Sequence, residues 1–112
     1  MIITKSKPFT TKEIIRLREL FGVYIKTVID VREKICSAGC DRHFESEKIL
    51  LNQGSSQQDL WGGGFDMETD IIDCNSMINI RPKQNNSSNE ILDPKIRAEF
   101  EKLTKYFFQY AK

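Results

Sequence analysis

Asp93-Pro94, followed by Ile96, Phe100, Leu103, Phe107 and Tyr110, restricts this chain more than any other feature. Aspartate caps a helix start, proline is tolerated at the first helical position, and the large apolar residues recur at steps of three and four. The pattern predicts a C-terminal helix with an aromatic stripe, and such a stripe must be buried against another layer. A second helix pattern lies near the start. Thr10 with Glu13 is a capping box, Phe9 with Ile14 fits the staple around it, and Ile14, Leu17 and Phe21 share one side from about Thr11 to Phe21.

Between these ends the pattern shortens. Phe44 to Leu51, Leu60 to Phe65 and Ile71 to Ile80 read as three strands of an antiparallel meander. Asn52 to Ser56 is a turn signal, Pro82 ends the last strand, and residues 83–89 form a polar loop. Gly62-Gly63-Gly64 points to a bulge, a bend or a close backbone approach. Val23 to Ala38 is ambiguous. Ile25, Val28, Ile29, Ile35 and Cys36 fall at helical spacing and Gly39 fits a C-cap, which predicts a second helix. The β-branched run in residues 23–31 keeps a strand open as the alternative. With Ile2-Ile3-Thr4 as a short edge strand, the expected fold is α+β in two layers: strand, two helices, three-stranded meander, C-terminal helix, all in one domain over residues 1–112.

Charge and cysteine usage narrow the function classes. The net charge of +1 gives no global field toward nucleic acid or an anionic membrane, so a nucleic-acid partner is disfavoured. No apolar run reaches the ~20 residues of a membrane span, and no secretory leader opens the chain. Cys36, Cys40 and Cys74 are odd in number, which argues against a disulfide framework and for a cytoplasmic setting.

Several residues carry a resemblance. They are Lys26 to Asp30, Ala38-Gly39, His43 to Glu47, Gly54-Ser55, Asp59-Leu60-Trp61-Gly62, Ile78-Asn79-Ile80-Arg81-Pro82, Asn86 to Ser88, and Asp93-Pro94. In order and spacing the chain resembles a small family of bacterial and archaeal proteins classed as a domain of unknown function. The resemblance covers about residues 20 to 100 and implies a class without a mechanism. The chain departs from the pattern where Cys40 replaces a glycine, Glu45 an aspartate and Ser87 an arginine. The lost guanidinium weakens any anion-binding role for that loop.

His43 is the only histidine, set in Asp41-Arg42-His43-Phe44-Glu45-Ser46-Glu47. On a strand, His43, Glu45 and Glu47 would line one face, as an acid–base set or as ligands for a divalent metal. Their spacing of about 7 Å is too wide to close on one ion unaided, so a metal is not favoured. Arg81 and Asn79 would project from the polar face of the last strand. Arg81 could bridge to Glu45 or Glu47, or clamp an anionic ligand. Trp61 is expected in the core, with a stacking role if exposed, and Asn86 belongs to the loop. Cys36, Cys40, His43 and Cys74 match no common zinc spacing.

The reading that follows is a binding module using the polar sheet face and the 83–89 loop, through Asn79, Arg81, Trp61 and Asn86, for a protein partner or a small anionic ligand. The alternative is a small hydrolase or nuclease-like enzyme with His43 as acid–base group beside Glu45 and Glu47. The element order is similar to RelE-type RNA-cleaving toxins, in topology alone.

Overall fold

The β-branched run after Gly22 decides the architecture. In the computed structural model, which describes residues 1–111, Val23 to Ala38 is a hairpin and not a helix. Strand β2 (Tyr24–Asp30) pairs antiparallel with β3 (Ile35–Ala38), placing Val28 opposite Ser37. The helical spacing arose because both faces of β2 are covered, which removes the clean alternation of a half-buried strand. Asp30 makes the turn. Its Oδ1 accepts the N–H groups of Arg32 (3.0 Å) and Glu33 (2.8 Å), and Lys34 closes the turn at φ 58°. Gly39 does adopt a positive φ of 91°, but at the end of a strand, where a Cβ would meet Leu17 and the Met1 carbonyl.

Among the described residues the fold is α+β, with three helices and a five-stranded antiparallel sheet in the order β1 (Ile3–Lys5), β3, β2, β4 (Leu60–Asp66), β5 (Ile72–Asp73). β1 (Ile3–Lys5) is an edge strand on β3, as expected. α1 (Thr11–Phe21) begins with the capping box: Glu13 N–H donates to Thr10 Oγ1 at 3.2 Å, and Thr10 N–H to Glu13 Oε1 at 2.8 Å. β4 (Leu60–Asp66) pairs with β2 along its whole length, Trp61 against Ile29 and Gly64 against Lys26. α3 (Pro94–Phe107) carries Asp93 as its cap and buries Phe100, Leu103 and Phe107. The helix stops before Tyr110, which is exposed, and Phe108 enters the core instead.

Two expected strands are something else. Residues 44–51 belong to helix α2 (His43–Asn52), in which Ser46 and Leu50, four apart, are buried. The run Ile71 to Ile80 reduces to a two-residue β5 (Ile72–Asp73) and a 3₁₀ turn (Met77–Asn79); a second 3₁₀ turn spans Pro82–Gln84. Burial there inverts the expected alternation, since Asn79 is buried while Met77 and Ile80 are exposed.

The strand period assigns the layers. Ile25, Ile29, Trp61 and Phe65 face the larger hydrophobic cluster, with Leu17 of α1 and Phe100 and Phe107 of α3. Val28 and Leu60 face the other way, against Leu50 of α2. Helices therefore cover both faces, and α2 covers only part of its own. No helix among the described residues is long and apolar enough to cross a membrane.

Candidate functional site

The part of the sheet beyond α2 is where chemistry-bearing residues collect. His43 is the first residue of α2, and its half-buried ring reaches the sheet, where Nε2 lies 2.6 Å from the Gly63 carbonyl. A carbonyl only accepts, so Nε2 carries the proton and Nδ1 keeps a lone pair. Burial lowers the pKa of His43; nearby Lys26 acts the same way, and the Gly63 carbonyl and Asp73 oppose. The imidazole is thus neutral and fixed in one tautomer near pH 7.

The acids expected beside it do other work. On a helix Glu45 swings away from His43. Its Oε1 accepts the backbone N–H groups of Asp41 (3.0 Å) and Arg42 (2.9 Å), closing the start of α2. Glu47 meets the Gln57 side-chain amide at 3.5 Å. The row of one imidazole and two carboxylates therefore does not exist. Among the described residues no three His, Cys, Asp or Glu side chains are placed to hold a metal ion, and Cys36, Cys40 and Cys74 are free, buried thiols.

What surrounds His43 is a groove of about 620 Å³. Its polar lining is His43, Lys26, Arg42 and Ser76; its apolar lining is Phe44, Met77 and Ile78. Lys26 Nζ donates to the Asp41 carbonyl at 2.7 Å, and neither Lys26 nor Arg42 forms an ion pair among the described residues. Phe44 is 55% exposed and Met77 80%, a high price in apolar surface for a small protein. Alongside, Tyr24 donates to Asp73 Oδ2 at 2.8 Å; burial first, then that carboxylate, pushes its pKa up. Tyr24 crosses the sheet at Gly64, where any Cβ would collide with its ring and hydroxyl. Gly62 and Gly63 leave room in the same way for Ser76 and Phe100, so the glycine run serves close approach. Of the groove residues, only His43 is singled out by the sequence as a site residue; Lys26, Arg42, Phe44, Ser76, Met77 and Ile78 are not. Met77, an apolar residue between Asn75 and Asn79 on the side expected to be polar, is the one signal of them.

Asn79, Arg81, Trp61 and Asn86 are brought together, but largely to build the segment after β5. Asn79 Oδ1 accepts the Gly62 N–H at 2.8 Å and its Nδ2 donates to the Gly62 carbonyl at 2.9 Å, acting as a strand partner for β4. Asn86 Nδ2 donates to the carbonyls of Asn79, Ser88 and Glu90, while its Oδ1 accepts Leu92 N–H. Arg81 forms an ion pair with neither Glu45 nor Glu47 among the described residues, although the charge of Glu47 opposes the lowering of its pKa by burial. It donates to the carbonyls of Ile78, Gln57 and Leu60 and to Gln84 Oε1, and stacks on Trp61, its Cζ 4.5 Å from the ring centroid. Trp61 is in the core, as expected.

The chain belongs to the family described as Protein of unknown function (DUF5674), whose model matches residues 1–107. No curated protein and no solved structure matches it.

Proposed function

We propose that this DUF5674 chain is a binding domain whose site is the His43 groove, and that its ligand joins an anionic group to an apolar or aromatic body. The observation that carries the reading is the pairing of two cations without an ion pair among the described residues, Lys26 and Arg42, with the exposed Phe44 and Met77 in one groove around a neutral, fixed imidazole. The cations attract the anion, His43 Nδ1 accepts one hydrogen bond, and the apolar lining covers the remainder of the ligand. Binding is preferred over catalysis because Glu45, an expected orienter of His43, is committed to the start of α2. An acid–base role would rest on Nδ1 alone.

The chain has one histidine, so its imidazole NMR signals report this groove. Titration with phenyl phosphate and benzoate is expected to shift those signals saturably, with neutral benzyl alcohol about tenfold weaker. Lys26→Ala and Met77→Ser should each weaken binding several-fold. Equal affinity for the neutral probe, or indifference to Lys26, overturns the reading. Release of phosphate from phenyl phosphate, lost in His43→Gln, would transfer the site to the enzyme class.

A further inference from the structure

We infer that a second groove, between the 83–89 loop and the start of α3, binds a carboxylate carried on a short apolar chain. It encloses about 570 Å³, and Trp61, Gln84, Leu92, Lys95 and Ile96 are among its lining residues. Trp61 is 1% exposed, and its indole N–H has no acceptor among the described residues. A buried donor without an acceptor is unfavourable and is ordinarily matched by protein or a bound group. Arg81 adds a second imbalance beside it. Arg81 is only 9% exposed, and its guanidinium lies over the Trp61 ring with no carboxylate within ion-pair distance among the described residues. Its partners are carbonyl groups and the neutral Gln84 Oε1, at 3.2 Å. The indole lacks an acceptor, and the guanidinium meets only neutral oxygens within hydrogen-bond distance, the charge of Glu47 acting on it from farther off.

The groove's own acid is turned to the helix start. Asp93 Oδ1 is committed to the N–H groups of Lys95 (2.8 Å) and Ile96 (3.4 Å) at the start of α3. Lys95, on the groove's lining, forms no ion pair among the described residues. A ligand carboxylate balances its charge, accepting from Arg81 in place of Gln84. That exchange substitutes a charge-assisted hydrogen bond for a neutral one. Gln84 is exposed and, among the described residues, its side chain is otherwise held by Nε2 donating to the Gln58 carbonyl at 3.1 Å, so it can leave. Leu92, Pro94 and Ile96 then take the apolar chain. A free small acid and the C-terminal carboxylate of a peptide share this chemistry.

The chain has one tryptophan, so the indole N–H resonance reports this groove and the imidazole of His43 reports the other. Butyrate is expected to move the indole N–H signal downfield saturably, butyramide at least about tenfold more weakly, and butylamine not at all. Lys95→Ala should weaken butyrate several-fold. Gln84→Ala, which removes the competing acceptor, should tighten it several-fold, a gain that a merely structural Gln84 would not give. Short peptides ending in leucine, with free or amidated C-terminus, form the second arm. Tighter binding of the free-acid peptide than of butyrate assigns the ligand to a chain terminus, and the reverse assigns it to a small acid. A silent indole signal, or equal shifts with butyramide, overturns the inference. Shifts at His43 with Trp61 silent would do so while leaving the function proposed for the His43 groove intact.

Discussion

A neutral imidazole held by one hydrogen bond gives the protein a pH dependence whose sign is fixed. Burial places the folded-state pKa of His43 below its ordinary value of 6.5, so the unfolded chain takes up the proton first as pH falls. His43's contribution to stability is therefore complete above about pH 6.5 and is lost progressively below it. His43→Gln keeps a side-chain N–H for the Gly63 carbonyl and cannot titrate. Urea unfolding between pH 7 and pH 5 should show a shallower acid-side loss in that variant than in the parent. An identical slope would mean that His43 does not titrate between the folded and unfolded states. Asn79 makes the larger contribution. Its amide satisfies both polar groups of Gly62 and donates to the carbonyls of Asn89 (3.1 Å) and Cys74 (3.4 Å). Asn79→Ala strands those buried groups and should cost about 3 kcal/mol. The urea midpoint should fall with little change in slope.

Elements differ in how openly the sequence announces them. α1 and α3 are capped by Thr10 and Asp93 and bury one continuous stripe each, so spacing and caps agree. β2 is hidden because Ile25 and Ile29 go to one core and Val28 to the other, which makes a strand read as helical spacing. α2 is hidden for the opposite reason. Its buried positions are Ser46 and Leu50, too polar a stripe to stand out beside the alternating ionisable residues. The stretch after β5 cannot be read from periodicity, because Asn79 and Asn86 replace ladder hydrogen bonds with side-chain ones. The candidate site inherits these limits: His43 is visible as a lone histidine, but its neighbours depend on α2 being a helix. Glu45 tests that dependence. Glu45→Ala leaves the Asp41 and Arg42 N–H groups without their acceptor and should cost about 1 kcal/mol. Weaker protection of the first α2 amides, with α3 unchanged, is the expected NMR result.

On the scale of the molecule, the two faces of the sheet are held with unequal strength. The larger cluster ties α1 and α3 to β2 and β4 through Leu17, Ile25, Ile29, Trp61, Phe65, Phe100 and Phe107. The smaller one holds α2 through Leu50 against Val28 and Leu60, with Ile35 and Ile78 at its margin. A chain of hydroxyls adds to it, Thr4 donating to Ser37 at 2.9 Å and Ser37 to Ser46 at 2.8 Å. Apolar burial is the dominant favourable term, so α2 should open at a lower free energy than the rest of the sheet requires. Native-state hydrogen exchange should then give α2 amides a common opening energy below that of β2, β4 and the middle of α3. That opening carries His43 and Phe44 away from Lys26, Met77 and Ile78, and so dismantles the proposed groove. A ligand that needs the assembled groove must raise α2 protection by its binding free energy, about 2.7 kcal/mol at a hundredfold excess over Kd, until global unfolding sets the limit. If α2 exchanged together with β2, the two clusters would be one cooperative unit. If phenyl phosphate bound without protecting α2, its site would lie outside the groove that α2 completes.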